Sequence, residues 1–166
     1  PSSGIQSSGV AILGSRKDFE EYLNSYQDFI TSFRARGFNN TSLVFEEYID
    51  WDMYSIDYFV DKQWNISVSP PVEVKIGINI WIDDFMNYVR SFRKKIIEKI
   101  PQEELQVFIE STVHALWIKN SYIHHEFKHT SKWKLKTIEV NGRIWWYRIK
   151  MIQEALNFNW LSCILK

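Results

Sequence analysis

The sequence contains a single cysteine, Cys163, among its 166 residues. One cysteine cannot form an intrachain disulfide, and this favours a reducing compartment such as the cytoplasm. The chain also carries no net charge, because 20 basic residues balance 20 acidic ones. This balance excludes an overall electrostatic attraction to nucleic acid or to anionic membranes. Without a long apolar run or an internal repeat, the sequence predicts a cytoplasmic protein that makes no membrane contact.

Aromatic residues are abundant in this chain: they make up 16% of it and include eight tryptophans, within an apolar share of 45%. Such a composition is typical of an ordered globular protein with a thick core, an aromatic binding surface, or both. The length fits a single domain, which we predict to span residues 15–166. The Ser/Gly-rich segment Pro1–Gly14 is predicted to be a flexible tail or an artificial extension.

Hydrophobic periodicity predicts about four helices. In the first, aromatic residues recur every three or four positions, and Gly37 provides a stop. Asp83 and Asp84 are predicted to cap the second helix, and Pro101 ends it. The third shows the clearest helical stripe of the chain. The four predicted helices are Ser15–Arg36, Asp83–Ile100, Gln102–Phe127 and Met151–Leu165.

β-branched and aromatic residues concentrate between Thr41 and Ile82, which predicts an antiparallel meander. Within this region Glu46–Tyr58 fits either a strand or a short helix. A C-terminal β-hairpin is predicted around Asn141-Gly142, because this pair favours two-residue turns with positive φ. The predicted fold class is therefore α+β, with an antiparallel sheet (a meander plus a C-terminal β-hairpin) packed against about four helices. The predicted strands are Leu43–Phe45, Tyr54–Val60, Trp64–Val68, Val72–Ile82, Trp133–Val140 and Ile144–Ile149.

The predicted C-terminal hairpin is basic as well as aromatic, and this suggests one function. Bases of single-stranded nucleic acid stack on exposed rings while basic side chains follow the phosphates. The alternative is that the tryptophans belong to the core and the lysines protect a sheet edge. The basic residues of the nucleic-acid hypothesis are Lys132, Lys134, Lys136, Arg143 and Arg148.

The segment His125-Glu126-Phe127-Lys128-His129 matches the pattern H-E-x-x-H. Over these five residues the chain resembles the zincin metallopeptidases. The resemblance implies a zinc-dependent hydrolase in which His125 and His129 bind zinc and Glu126 acts as the catalytic base. The third zinc ligand is not identified, and Glu139 and Glu154 are the nearest downstream carboxylates. The alternative is a surface histidine cluster that complements the dipole at a helix end.

The run VFEEYIDWDMYSIDYFVD interleaves carboxylates with aromatic rings. Such residues can block a basic active site, because rings anchor a partner and carboxylates steer it. Bacterial immunity proteins against toxic nucleases share this physics, although not this sequence. Our leading hypothesis is therefore a protein-binding, immunity-type inhibitor of a basic protein partner, which is not an enzyme and needs no cofactor. Zinc is the cofactor of the metallopeptidase alternative. An ordinary half-exposed sheet would also explain the run. The predicted partner-binding residues are Glu46, Glu47, Tyr48, Asp50, Trp51, Asp52 and Asp57.

Overall fold

The structure is a computed structural model that describes residues 9–35, 37, 42–130, 132 and 134–164. The chain forms two compact units. The first unit comprises Pro1–Tyr48 and Ile76–Asn87, and the second comprises Ile49–Lys75 and Tyr88–Lys166. The single domain at residues 15–166 and the flexible tail stay predictions. Residues 1–8 of that tail lie outside the described residues.

The first unit contains one long helix, α1 (Arg16–Ala35), close to the predicted bounds. Its aromatic side chains stack along the helix, as in the pair of Phe29 and Phe33, whose ring centroids lie 4.7 Å apart. Tyr26 and Phe33 are buried. Gly37 has φ 88°, the left-handed conformation that ends a helix and that glycine adopts without steric cost.

A tight loop in the first unit begins with a 3-10 helix, Gly77–Ile80. The backbone N–H of Gly77 donates to the carbonyl oxygen of Met86 (3.0 Å), and that of Ile78 donates to the carbonyl oxygen of Asp84 (3.0 Å). A Cβ atom at position 77 would lie 2.1 Å from Oδ1 and 2.6 Å from the backbone oxygen of Asp84. Only glycine therefore fits this position.

Replacing Gly77 with alanine is expected to lower the free energy of unfolding by about 1–3 kcal/mol, the usual cost of overpacking. The reason is that backbone atoms, which cannot rotate away, occupy the space of the new methyl group. Urea unfolding followed by tryptophan fluorescence measures the loss. Gly142→Ala is the matched control, because no atom lies within 4 Å of a Cβ atom at that position. Equal stabilities of the two variants would contradict the prediction.

The second unit is built on a six-stranded sheet with the order β4-β3-β1-β5-β6, and β2 also pairs with β1. β1 pairs antiparallel with β2, β3 and β5, and β5 pairs antiparallel with β6. The predicted α+β class with an antiparallel sheet is thus confirmed. The strands are β1 (Met53–Val60), β2 (Ile66–Val68), β3 (Val72–Ile76), β4 (Asn87–Ser91), β5 (Ser121–His129) and β6 (Leu135–Asn141).

The two faces of this sheet differ in chemistry. Alternate residues of β1 and β5 contribute to the main core, where helices α2 (Lys94–Lys99) and α3 (Gln102–Ala115) add Ile96, Ile109 and their neighbours. A smaller apolar cluster joins Tyr122 of β5 to α4 (Trp146–Leu156) and α5 (Trp160–Ile164). The face of the sheet opposite the main core is the second face. It carries this smaller cluster and also buried polar side chains. Among the described residues, no helix combines the length and apolarity needed to cross a bilayer.

Two predicted helices are wrong in detail. The third helix ends at Ala115, and Tyr122 to Phe127 lie in β5 instead, after Trp117 and Asn120 adopt positive φ. The second helix shrinks to Lys94–Lys99. Its predicted cap, Asp84, instead accepts a hydrogen bond from the N–H of Met86 (3.0 Å), as aspartate does in turns.

The predicted hairpin at Asn141-Gly142 is also wrong. β6 ends at Asn141, Gly142 does not adopt positive φ, and the chain continues into α4. The hairpin in the structure joins β5 to β6. Part of its turn lies outside the described residues. So does Trp133, the first residue of the predicted strand Trp133–Val140. Residues 46–52, left open between strand and helix, form neither, and the strand begins at Met53.

Candidate functional site

A row of polar residues crosses the second face of the sheet. Residues directly opposite each other in antiparallel strands project to the same face. Asp57 of β1 is opposite His124 of β5, and His124 is opposite Asn141 of β6. Two residues further along β5, and therefore on the same face, Glu126 is opposite Glu139. The sheet therefore brings together carboxylate, imidazole and amide groups that are far apart in the sequence.

Asp57 lies at the centre of this row and is fully buried. Its Oδ1 is 2.8 Å from His124 Nδ1, and its Oδ2 is 2.6 Å from Arg148 Nε. Arg148, on α4, also donates through Nη2 to the carbonyl oxygens of Ser55 (2.7 Å) and Pro70 (3.2 Å). The buried aspartate thus has a nitrogen partner at each oxygen, and Arg148 supplies the opposite charge that a buried carboxylate requires.

His124 is held between two carboxylates. Its Nδ1 faces Asp57, and its Nε2 is 3.5 Å from Glu126 Oε1. Burial lowers the pKa of His124, but hydrogen bonds to and charges on Asp57 and Glu126 outweigh burial, so the pKa is raised above the ordinary value. The imidazole therefore retains its second proton at higher pH than a free histidine does.

A cleft of about 630 Å³ opens beside His124. The Arg90 guanidinium of β4 lies over the Trp145 ring, with Cζ 4.1 Å from the ring centroid. Burial lowers the pKa of both Arg90 and Arg148, and Asp57 opposes that effect in each. Within the described part of the chain, Arg90 Nη2 and Arg148 Nη1 are buried and have no hydrogen-bond partner. The lining residues are Tyr88, Arg90, Phe92, His124, Trp145, Tyr147, Arg148, Lys150, Met151, Glu154 and Ala155.

Glu126 and Glu139 form the carboxylate pair of the site. Glu126 is buried, whereas Glu139 is exposed. Like charges directly opposite each other on neighbouring strands repel, and a cation between them would relieve that repulsion. The Nδ2 atom of Asn141, the next residue but one on β6, is buried and has no protein partner among the described residues. No group of three or more His, Cys, Asp or Glu suited to holding a metal occurs in the described ranges, so two carboxylates and an amide are the available set.

The predicted zinc site is wrong because its residues lie on a strand. Four residues of strand separate His125 from His129 by about 13 Å, too far to share one metal. Glu126 projects to the opposite face from both histidines. His125 is instead a core residue: Nε2 lies 3.0 Å from Thr137 Oγ1, and its ring stacks on Phe108 at 4.9 Å.

Burial, and then the charge on His124, lower the pKa of His125 to about 4. The unfolded-state pKa is higher, about 6.5, so the unfolded chain binds more protons between these values. We therefore expect the contribution of His125 to stability to be complete above pH ~6.5 and to fall by about 3 kcal/mol as the pH drops to ~4. Urea unfolding of the wild type and of His125→Gln across this range isolates the effect. Parallel stability curves for the two proteins would contradict it.

The residues of the inhibitor hypothesis and of the nucleic-acid hypothesis differ in solvent exposure. Of the predicted partner-binding residues, Glu46, Glu47, Tyr48, Asp50 and Trp51 are exposed and Asp52 is half-buried, but Asp57 is buried in the ion pairs above. Of the predicted nucleic-acid contacts, Lys132, Lys134 and Arg143 are exposed and Lys136 is half-buried, but Arg148 is buried. Asp57 and Arg148 therefore cannot belong to either outer surface, because each neutralises the other inside the protein.

Arg90, His124, Asn141 and Trp145 belong to none of the predicted sites. Arg90 lies within the predicted helix Asp83–Ile100, and Asn141 belongs to the predicted hairpin turn. One signal was available: Tyr122–Phe127 alternates residue by residue, with His124 and Glu126 on one side and His125 and Phe127 on the other. That alternation indicates a strand with one polar face.

Two solved structures share the fold of this chain. The crystal structure of an L-amino acid ligase from Bacillus licheniformis matches with a TM-score of 0.51 and 16% identity, covering 71% of this chain and 29% of that chain. The biotin carboxylase domain of the Hydrogenobacter thermophilus 2-oxoglutarate carboxylase, in complex with MgADP, ADP and bicarbonate, matches with a TM-score of 0.62 and 19% identity, covering 91% of this chain and 32% of that chain. The chain thus spans about a third of the length of these structures. No curated protein matches the sequence.

A sequence profile for the ATP-grasp domain matches residues 1–145, most of the chain. This match overturns the functional hypotheses drawn from the sequence. The immunity-type inhibitor, the zinc metallopeptidase and the expectation of a non-enzyme are wrong, because the sequence matches the ATP-grasp domain over residues 1–145. The expectation of no cofactor, or of zinc, is wrong as well, because ATP-grasp enzymes bind ATP with Mg²⁺ and the carboxylase neighbour holds MgADP. This chain belongs to the ATP-grasp domain family.

Proposed function

We propose that this chain forms part of an ATP-dependent ligase and holds the magnesium ion that accompanies the nucleotide. Family membership and the names of the two structural neighbours support an enzyme that couples ATP to bond formation. Because the chain spans about a third of those neighbours, the complete reaction belongs to the proposal as well. A cytoplasmic location, where ATP is available, is part of the same proposal.

The facing pair of Glu126 and Glu139 carries this proposal. Mg²⁺ is bound in proteins by one or two carboxylates together with substrate phosphates, and it does not need a full cage of protein ligands. The two carboxylates and the neighbouring Asn141 match that requirement, since Asn141 lies two positions from Glu139 on the same strand face. When bound, the ion would neutralise charge on the phosphates of the nucleotide.

The residues around the pair hold it in place. Arg148 fixes Asp57, Asp57 fixes the Nδ1 side of His124, and His124 presents Nε2 to Glu126. Such supporting contacts commonly orient a metal-binding carboxylate. The chain of contacts begins on α4 and ends at β5, so the position of Glu126 depends on the packing of α4 against the sheet.

Isothermal titration calorimetry with ADP tests the proposed function. We expect ADP to bind in the presence of MgCl₂ and to bind more weakly when EDTA removes the metal, because the two carboxylates repel free phosphate. Binding that is equally strong with and without magnesium would remove the role of the carboxylate pair. A complete lack of binding would remove the proposed function.

A further inference from the structure

Two guanidinium groups make the inner end of the cleft beside His124 suited to an anion. Arg90 and Arg148 both line this end, next to the Trp145 ring on which Arg90 rests. The Asp57 carboxylate pairs with Arg148 through Nε, at 2.6 Å. No described carboxylate lies in an ion pair with Arg90, whose guanidinium is half-buried. In such a setting an anion is attracted more strongly than in water.

Hydrogen-bonding capacity points the same way. Arg90 Nη2 and Arg148 Nη1 each lack an acceptor among the described residues, and Arg148 is only 2% exposed. Buried guanidinium N–H groups are costly to leave unpaired, and a carboxylate is the acceptor that best matches their planar geometry. The ion pair with Asp57 fixes Arg148, whereas half-buried Arg90 rests on the Trp145 face and is freer to turn toward a ligand.

The rest of the cleft is apolar. Tyr88, Phe92, Met151 and Ala155 line it together with Trp145. Its volume of about 630 Å³ is far larger than a bicarbonate ion needs and falls in the range of sites for drug-sized ligands. The one carboxylate in the described lining is that of Glu154, which is 69% exposed and lies 3.8 Å from Lys150, so the inner end of the cleft offers an ammonium group no carboxylate from the lining.

We infer that this cleft binds an organic monocarboxylic acid with an apolar or aromatic body and without an α-amino group, as the acid substrate of the enzyme. This inference rests on the proposed function and specifies its substrate. The carboxylate lies against Arg90 and the inner cationic end, and the apolar body contacts Trp145, Phe92 and Met151. This lining disfavours amino acids, because of their ammonium group, and bicarbonate, because it has no apolar body.

Calorimetric titration with three probes tests the inference: hydrocinnamate, L-phenylalanine, which differs only by its amino group, and bicarbonate. We expect hydrocinnamate to bind at least about tenfold more tightly than L-phenylalanine, because the added ammonium group meets guanidinium groups at close range. Bicarbonate, without an apolar body, should bind more weakly still. Equal binding of hydrocinnamate and L-phenylalanine would overturn the inference.

Arg90→Met is expected to weaken hydrocinnamate binding by about tenfold or more, because it removes the charge-assisted contact while keeping the length of the side chain. Arg93→Met, an exposed arginine outside the cleft, is the matched control and should leave binding unchanged. Met151→Trp, which fills the apolar end, should weaken binding without changing the charge. Circular dichroism shows that each variant is folded.

The same samples separate this inference from the proposed function. Wild-type protein that binds MgADP but not hydrocinnamate would overturn the inference and leave the proposed function standing. Hydrocinnamate that competes with MgADP would also overturn it, since the cleft would then hold the nucleotide. Failure of MgADP to bind would remove the proposed function itself, whatever the acid does.

Discussion

Asp57→Asn is expected to lower the free energy of unfolding of the second unit by about 3–5 kcal/mol, the range for breaking one partner of a buried ion pair. Asparagine keeps the shape of the side chain but leaves Arg148 without its counterion and His124 without the carboxylate at its Nδ1. Arg148 is 2% exposed, so solvent compensates little for the lost partner. Urea unfolding at neutral pH measures the loss, which is a large part of the total stability of a small domain.

A surface ion pair on α4, the helix that carries Arg148, supplies the control. Lys150 and Glu154 lie 3.8 Å apart and are both about 70% exposed, so Glu154→Gln should change stability by no more than about 1 kcal/mol. Adding Arg148→Met to Asp57→Asn should recover part of the loss, because no buried guanidinium then lacks a counterion. If Asp57→Asn lowers the free energy of unfolding no more than Glu154→Gln does, the buried ion pair of Asp57 with Arg148 does not stabilise the protein as described.

The parts of the fold that follow from local pattern were predictable. α1 follows from its aromatic period, and β1 and β3 follow from runs of β-branched and aromatic residues. β5 was missed because Leu105 to Phe127 keeps a helical spacing throughout. The break at Trp117 and Asn120 depends on positive φ angles. Asparagine is enriched at such angles, but tryptophan gives no sign of them, and one asparagine was too weak a signal against the helical spacing.

The site was harder to predict than the fold because its contacts are long-range. Asp57 looked like one of several surface carboxylates, and Arg148 looked like one of several surface cations. Only the sheet pairing and the packing of α4 make them partners. Glu126 was selected for the wrong reason, as a base beside two histidines, although its true neighbours are His124 on the same strand face and Glu139 on the next strand.

Glu139→Gln is expected to change two measurements in opposite directions, and this makes it the sharpest test of the magnesium site. Without metal, removal of one of two facing carboxylates should raise the free energy of unfolding, by up to about 1 kcal/mol, because like charges opposite each other destabilise a sheet. With MgADP, the affinity should fall by at least about tenfold, the smallest loss typical even for residues that only support a metal ligand.

A structural role for Glu139 alone cannot produce this pair of results. A residue needed only for folding would lose stability on substitution, and a residue without a role would change neither measurement. Glu98→Gln on α2 is the control: Glu98 pairs with Lys94 on the surface, so both measurements should stay at wild-type values. A ligand that binds only the folded state stabilises it by RT ln(1 + c/Kd), where c is the free ligand concentration, so at one MgADP concentration the unfolding midpoint should rise less for Glu139→Gln than for the wild type and Glu98→Gln. A Glu139→Gln protein that keeps its MgADP-dependent stabilisation would show that the ion, if bound, is held elsewhere.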